Sequence, residues 1–386
     1  NLSQNIPWTG GSLFLETSAQ RMDLFSEHKY SWQTSPIMIG YRQSLFGYNS
    51  LKWDKRIEPV RYQEAKKSYV ETLELVSANA INKFFALATA QSNYDIASFN
   101  YANADTLYRY AQGRYNIGTI TENEMLQLEL NRLTEETNRM NARIEMDNCM
   151  QELRSYLGIQ EEREIRVRVS SRIPDFSINL NEALALAYEN SPDIQTMKRR
   201  KLESESAVAR ARANAGLKAD IYLRFGLTQT ADKLPEAYRN LLDQQYVSLS
   251  ISLPILDWGR GKGQVRVARS NRDLVYTQVE QSRTDFELNV RKLVKQFNLQ
   301  TQRVRIAART DETAQRRNEV ARKLYILGKS TILDLNASIS EKDSARRNYV
   351  SALYNYWSLY YTLRSMTLYD FESNKLLTED YNLLIE

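Results

Sequence analysis

The chain has 386 residues, 26% of them charged, and 52 Lys and Arg against 47 Asp and Glu give it a net charge of +5. That length implies two domains or one elongated body, and no apolar run approaches the roughly 18 residues of a membrane-crossing helix. A basic excess spread along the chain, densest at KRRK (198–201), reads as a solvated helix face and not as a nucleic-acid patch.

One cysteine (Cys149) and one histidine (His28) exclude a disulfide framework and a His/Cys metal site. No nucleophile motif, P-loop or GxGxxG after a strand occurs, so neither enzyme chemistry nor a cofactor is expected. No signal peptide is visible ahead of Asn1, and the numbered chain is expected to be a mature or trimmed form.

In chain order, NLSQNIPWTGG comes first and cannot be a helix, given Pro7, Gly10 and Gly11. Two alternating stretches follow, Ser12–Gln20 and Ser35–Phe46, with His28 in the turn-like SEHKYSWQTS between them. A long helix, Val60–Gln112, is free of Gly and Pro. RYNIGTITENEM then breaks the pattern at Gly118, and a shorter helix runs from about Thr121 to Leu157, with Cys149 as a small apolar filler.

Beyond a linker, NLNEALALAYENSPDI starts a helix over Asn181–Leu217 that Pro192 should bend or restart. Two more alternating stretches follow, Ala219–Thr230 and Tyr246–Leu256. In YVSLSISLPIL, Val247, Leu249, Ile251 and Leu253 alternate with serines; in DIYLRFGLTQ, Ile221, Leu223, Phe225 and Leu227 alternate with Tyr222, Arg224, Gly226 and Thr228. A period of two with one polar face is the strand signature. A second long helix, Gln264–Leu327, stops at LYILGKSTILDL, and a shorter one covers Thr331–Thr367. Its aromatic run YNYWSLYYTL (354–363) lies far from the break and reads as core packing, not as a membrane-interface belt. Leucine spacing along the long helices reads as coiled-coil packing.

The two halves repeat. An offset of 210 places Tyr115 on Tyr325, Gly118 on Gly328, Thr121 on Thr331, Glu124 on Asp334, and Ile37, Ile39 and Tyr41 on Val247, Leu249 and Ile251. Each unit reads strand, strand, long helix, short helix. The divisions are a first repeat over 1–159, lacking an N-terminal helix; a linker over 160–178; a second repeat over 179–368; and a C-terminal tail over 369–386. At each break a left-handed glycine ends one helix, and Thr121 with Glu124, or Thr331 with Asp334, forms a capping box that starts the next.

At 1.5 Å per residue, Gln264–Leu327 spans roughly 95 Å and the helix after Gly328 about 55 Å, lengths that suit the wall of a tube. Four strands with one polar face match membrane β-strands of about 9–11 residues. Four are too few to close a pore, so several chains must share one barrel.

The tandem order, ISLPILDWGRGKG and YRQSLFGYN leaving the strands, and the tips YNIGTITENEM and YILGKSTILDL together resemble the TolC family of outer-membrane efflux proteins. The resemblance implies a mostly α fold with a small β part. It implies a homotrimer whose strands close one 12-stranded barrel in the lipid of the bacterial outer membrane, and whose helices form a periplasmic tunnel docked on an adaptor and an inner-membrane transporter. The function implied is an exit duct; a periplasmic adaptor and a coiled-coil scaffold are the alternatives, and neither explains two strand pairs in a duplication. Family members begin with a helix where NLSQNIPWTGG stands, after a signal peptide or lipidated Cys. Asp334 matches the family's gate acid and Tyr325 a gate tyrosine, while the basic residue expected nearby is Ser330. Asp334 and Glu124 thus have two readings, helix caps or a ring of carboxylates narrowing the tunnel. Gly118, Thr119, Gly328 and Lys329 are the expected adaptor-docking tips.

Overall fold

The computed structural model describes residues 1–26, 28–161, 164–170 and 173–377. They form two compact units, one of residues 1–66 and 192–285, the other of 67–191 and 286–386, so each unit takes part of both repeats.

The first unit holds a five-stranded antiparallel sheet in the order β1 (Leu2–Asn5), β2 (Ser12–Leu24), β3 (Lys29–Ser44), β4 (Lys218–Ala231), β5 (Leu242–Ser252). Four strands were expected. The fifth, β1, comes from NLSQN, which folds back onto β2 (Leu2 opposite Leu15, Asn5 opposite Ser12). Gly10, at φ +75°, permits that turn, closed by Gly10 N–H to Ile6 O (2.9 Å) and Ile6 N–H to Gly11 O (2.8 Å).

The first hairpin runs further than alternation alone suggests, to a turn in which exposed His28 takes φ +52°. β5 starts earlier than expected, its ladder with β4 reaching Leu242, and ends at Ser252; Pro254, which has no N–H to donate, follows in the segment that leaves the sheet.

Register sorts the sheet into two faces. Leu13 lies opposite Tyr41, Leu15 opposite Ile39, Ile39 opposite Phe225, Tyr41 opposite Leu223, Leu223 opposite Val247, and Ile221 opposite Leu249. Among the described residues nothing lies over this apolar face: Val247, Leu249 and Ile251 are each more than 60% exposed. The other face is closely packed at its centre. The Phe14 ring lies directly over Gly40 and the Met38 sulfur over Gly226, where any Cβ would collide.

Among the described residues, six α-helices accompany the strands: α1 (Ser50–Asn116), α2 (Glu122–Tyr156), α3 (Leu180–Asn190), α4 (Pro192–Ala215), α5 (Arg260–Ile326) and α6 (Ile332–Thr367). The helix boundary falls at Pro192 as expected, and Asn179 caps α3 by accepting from Asn181 N–H at 2.9 Å. Both long helices begin earlier than their Gly- and Pro-free spans. Asn49 caps α1, accepting from Lys52 N–H at 3.0 Å, and Pro59 removes one ladder hydrogen bond without ending the helix. Asp257 starts α5, accepting from the N–H groups of Gly259 (2.9 Å) and Gly261 (2.8 Å), and those bonds hold its carboxyl below the ordinary range. Within the first unit α1 and α4 are joined by a bidentate pair, Arg199 Nε to Glu64 Oε2 at 2.6 Å and Nη2 to Oε1 at 3.0 Å.

In the second unit the aromatic run of α6 is core, as expected. Tyr356 and Tyr360 are fully buried around Phe297, with centroids 5.1 and 5.9 Å away, and Phe176 of the linker closes the cluster at 5.4 Å. The linker is held by two amides. Gln91 donates to Ile165 O (2.9 Å) and accepts from Val167 N–H (3.1 Å), while Asn298 does the same for Ile178 (2.9 Å each way). After α6, β6 (Tyr369–Asp370) pairs with β7 (Lys375–Leu376). Cys149 departs from its reading as a filler: it is half-buried on α2, its Sγ 3.7 Å from Glu145 Oε1.

Candidate functional site

The two helical breaks are built by the same local chemistry. Asn116 and Ile326 end the long helices, and Gly118 and Gly328 both take φ +72°. In the first, Gly118 N–H donates to Tyr115 O (2.8 Å) and Thr119 N–H to Arg114 O (2.9 Å). In the second, Gly328 N–H donates to Tyr325 O and Lys329 N–H to Leu324 O (2.9 Å each). This is the Schellman arrangement, which needs a left-handed residue at the glycine position. All four expected tip residues, Gly118, Thr119, Gly328 and Lys329, are exposed.

Three residues on, each short helix begins in a complete capping box. Glu124 N–H donates to Thr121 Oγ1 (3.3 Å), and Thr121 N–H to Glu124 Oε2 (3.1 Å). Asp334 N–H donates to Thr331 Oγ1 (3.2 Å), and Thr331 returns its N–H (3.3 Å) and hydroxyl (2.7 Å) to Asp334 Oδ2. Ser330, which stands where a basic residue was expected, donates its hydroxyl to the same oxygen at 3.2 Å. The Thr331 hydroxyl, with the Thr331 N–H and Ser330 hydroxyl after it, holds the Asp334 carboxyl below the usual aspartate range. Asp334 therefore carries its full negative charge on an exposed helix start.

Tyr325 faces Tyr110 of the first hairpin across a shared cavity. Its side chain is half-buried, and burial raises its pKa; the charges of Arg114 and Glu124 both act on it, as does Tyr110. It lines a cavity of about 190 Å³ with Tyr110, Leu107, Asn318, Arg322 and Leu335. The fold thus brings Tyr325 and Glu124 together with Arg114, whereas the charge acting on Asp334 is Arg317. Tyr110 and Arg114 escaped the sequence reading. Their spacing of four, which puts Arg114 over the Tyr110 ring at 5.9 Å, is the only local sign of them.

A buried polar contact supports this end of the unit. Asn100 of α1 donates to Asp343 of α6 at 2.6 Å, Lys342 pairs with the other Asp343 oxygen at 3.2 Å, and Lys342 sits over the Phe99 ring at 4.6 Å. Farther along, Asn318 of α5 donates to Ser338 of α6 at 3.0 Å.

Residues 183–367 match the model of the outer membrane efflux protein family. Outer membrane protein TolC of Escherichia coli K12 is 21% identical over 311 residues; the match covers 78% of this chain, and the chain spans 61% of that protein's length. The CmeC outer membrane channel of Campylobacter jejuni superposes with a TM-score of 0.74 at 15% identity, over 98% of this chain and 81% of that one. VceC of Vibrio cholerae superposes at 0.70 and 15% identity, over 92% and 86%. With two strand pairs, two capped helical hairpins and these matches, the chain is a homologue of TolC whose residues 183–367 carry an outer membrane efflux protein domain.

Proposed function

We propose that the chain is one protomer of an exit duct that passes substrates, chemically unchanged, from the periplasm across the bacterial outer membrane. Three copies contribute β2–β5 to one 12-stranded barrel, the next copy's β5 taking the β2 edge that β1 covers over Ser12–Leu15 in the single chain, and their helices line a tunnel through the periplasm. The observation that carries this reading is the sheet: among the described residues one face is apolar and bare, the other polar, and β5 has no strand on its outer edge. Such an edge stays exposed unless another chain covers it, and an apolar outer face suits lipid.

In this reading the division into a first repeat (1–159), linker (160–178), second repeat (179–368) and tail (369–386) reflects duplication of one hairpin-bearing unit. Gly118, Thr119, Gly328 and Lys329 meet a periplasmic adaptor that links the duct to an inner-membrane transporter. Asp334, Glu124 and Tyr325 line the constriction, threefold symmetry turning each acid into three. Sedimentation with outer-membrane fractions, together with a trimer band that collapses on heating, tests the reading. A chain that stays in the soluble periplasmic fraction as a monomer refutes it.

A further inference from the structure

We propose that the polar face of the sheet carries a subsite for aromatic organic anions, built on Arg42 and Arg224. The proposal deepens the duct reading, in which that face lines the barrel lumen. The two arginines lie 182 residues apart in the chain and meet through register alone. Arg42 lies opposite Tyr222, Gly40 opposite Arg224, and Arg224 opposite Tyr246.

Around them stands an aromatic floor. Phe14, laid over Gly40, stacks on Tyr222 with centroids 5.7 Å apart and an interplanar angle of 24°. Tyr246 meets the same tyrosine edge-on at 5.9 Å. The Arg42 guanidinium stands over Tyr222, 5.5 Å from its centroid, and Arg224 donates to Gln244 Oε1 at 3.1 Å while its buried Nε has no acceptor.

Neither guanidinium has an ion-pair partner among the described residues. The acids of that face, Glu16 and Asp220, sit in other rows, opposite Met38 and Ser44. Two unpaired planar cations beside the exposed Tyr246 ring and the half-buried Tyr222 ring complement a ligand with a flat ring and an anionic group: the rings stack and the guanidinium forks receive the anion. In a trimer the set occurs three times around one axis, so the lumen here favours anions over inorganic cations.

The test uses purified trimers in planar bilayers under a potassium chloride gradient, with 2-naphthalenesulfonate as the probe. The blocker is an anion, so an acidic ring at the helical tips does not hold it. In the double variant R42Q/R224Q the half-blocking concentration should rise about tenfold, and the chloride-to-potassium permeability ratio should fall. R42K/R224K should keep the permeability ratio but block more weakly than wild type, because an ammonium has no planar face. An unchanged half-blocking concentration in R42Q/R224Q overturns the subsite. So does equal loss of the permeability ratio in the Lys and Gln variants, which would mark damage to the barrel instead of loss of charge. Wild-type trimers that conduct no ions would sink the duct reading itself, and the subsite with it.

Discussion

Arginine placed at Leu223 or Leu249 probes the apolar face of the sheet at two depths. Lys218 pairs with Ser252, which marks the end of the β4–β5 ladder nearest the helices. With a rise of about 3.4 Å per residue and a tilt near 40°, each residue adds roughly 2.6 Å of height. Leu223, five residues from Lys218, then lies about 13 Å up, close to the middle of an apolar band about 25 Å tall. Leu249, three residues from Ser252, lies about 8 Å up. Arginine at the midplane costs about 2–4 kcal/mol and much less near an interface. Leu223→Arg should therefore lose about 2–4 kcal/mol and Leu249→Arg about 1–3 kcal/mol. Ser248, opposite Tyr222 on the polar face, is the control, and Ser248→Arg should cost close to nothing. Guanidinium unfolding from lipid vesicles measures all three, and trimer melting on semi-native gels gives the same ranking. Equal costs for Leu223→Arg and Ser248→Arg, or unchanged stability in both leucine variants, would refute a lipid-facing sheet.

Gly118→Val and Gly328→Val have room for the side chain but force a β-branched residue to φ +72°, a local cost of about 1–2 kcal/mol each; trimer and membrane insertion should persist while adaptor pull-down and export fall, and loss of the trimer would contradict a docking role. Asp334→Asn keeps an acceptor for the Thr331 N–H and hydroxyl but removes the charge; single-channel recording should show weaker cation preference and no block by multivalent cations, whereas altered melting with unchanged conductance would leave Asp334 only a cap. The Arg199 guanidinium depresses the Glu64 pKa below its ordinary 4.5, so the pair stabilises above that value and its contribution is lost as pH falls through the lower, folded-state value. The melting advantage of wild type over Glu64→Gln should accordingly be present at pH 7 and vanish at strongly acid pH; an advantage that is independent of pH excludes the ion pair as its source.

The sequence by itself determined whatever depends on neighbours along the chain. A Schellman turn and a capping box close their hydrogen bonds within six residues, so GTITENE and GKSTILD suffice to announce both tips. Pro192 starts a new helix through its own fixed φ and missing N–H, and a period of two sorts a strand's faces before any partner is known. The duplication was legible for the same reason: these local signals recur at a constant offset.

Only the tertiary structure decided which distant groups meet. NLSQN has no alternation to announce β1; it becomes a strand because the β2 edge offers a ladder. Gln91 and Asn298 look like any polar helix residue until the linker lies against them. The Glu124 charge reaches Tyr325 of the other repeat only because two hairpins fold side by side, while the hydrogen bonds that hold Asp334 close within its own cap. Arg42 and Arg224 each read as an ordinary polar position on a strand. Their proximity follows from the β3–β4 register, and a slip of one residue would send one of them to the apolar face.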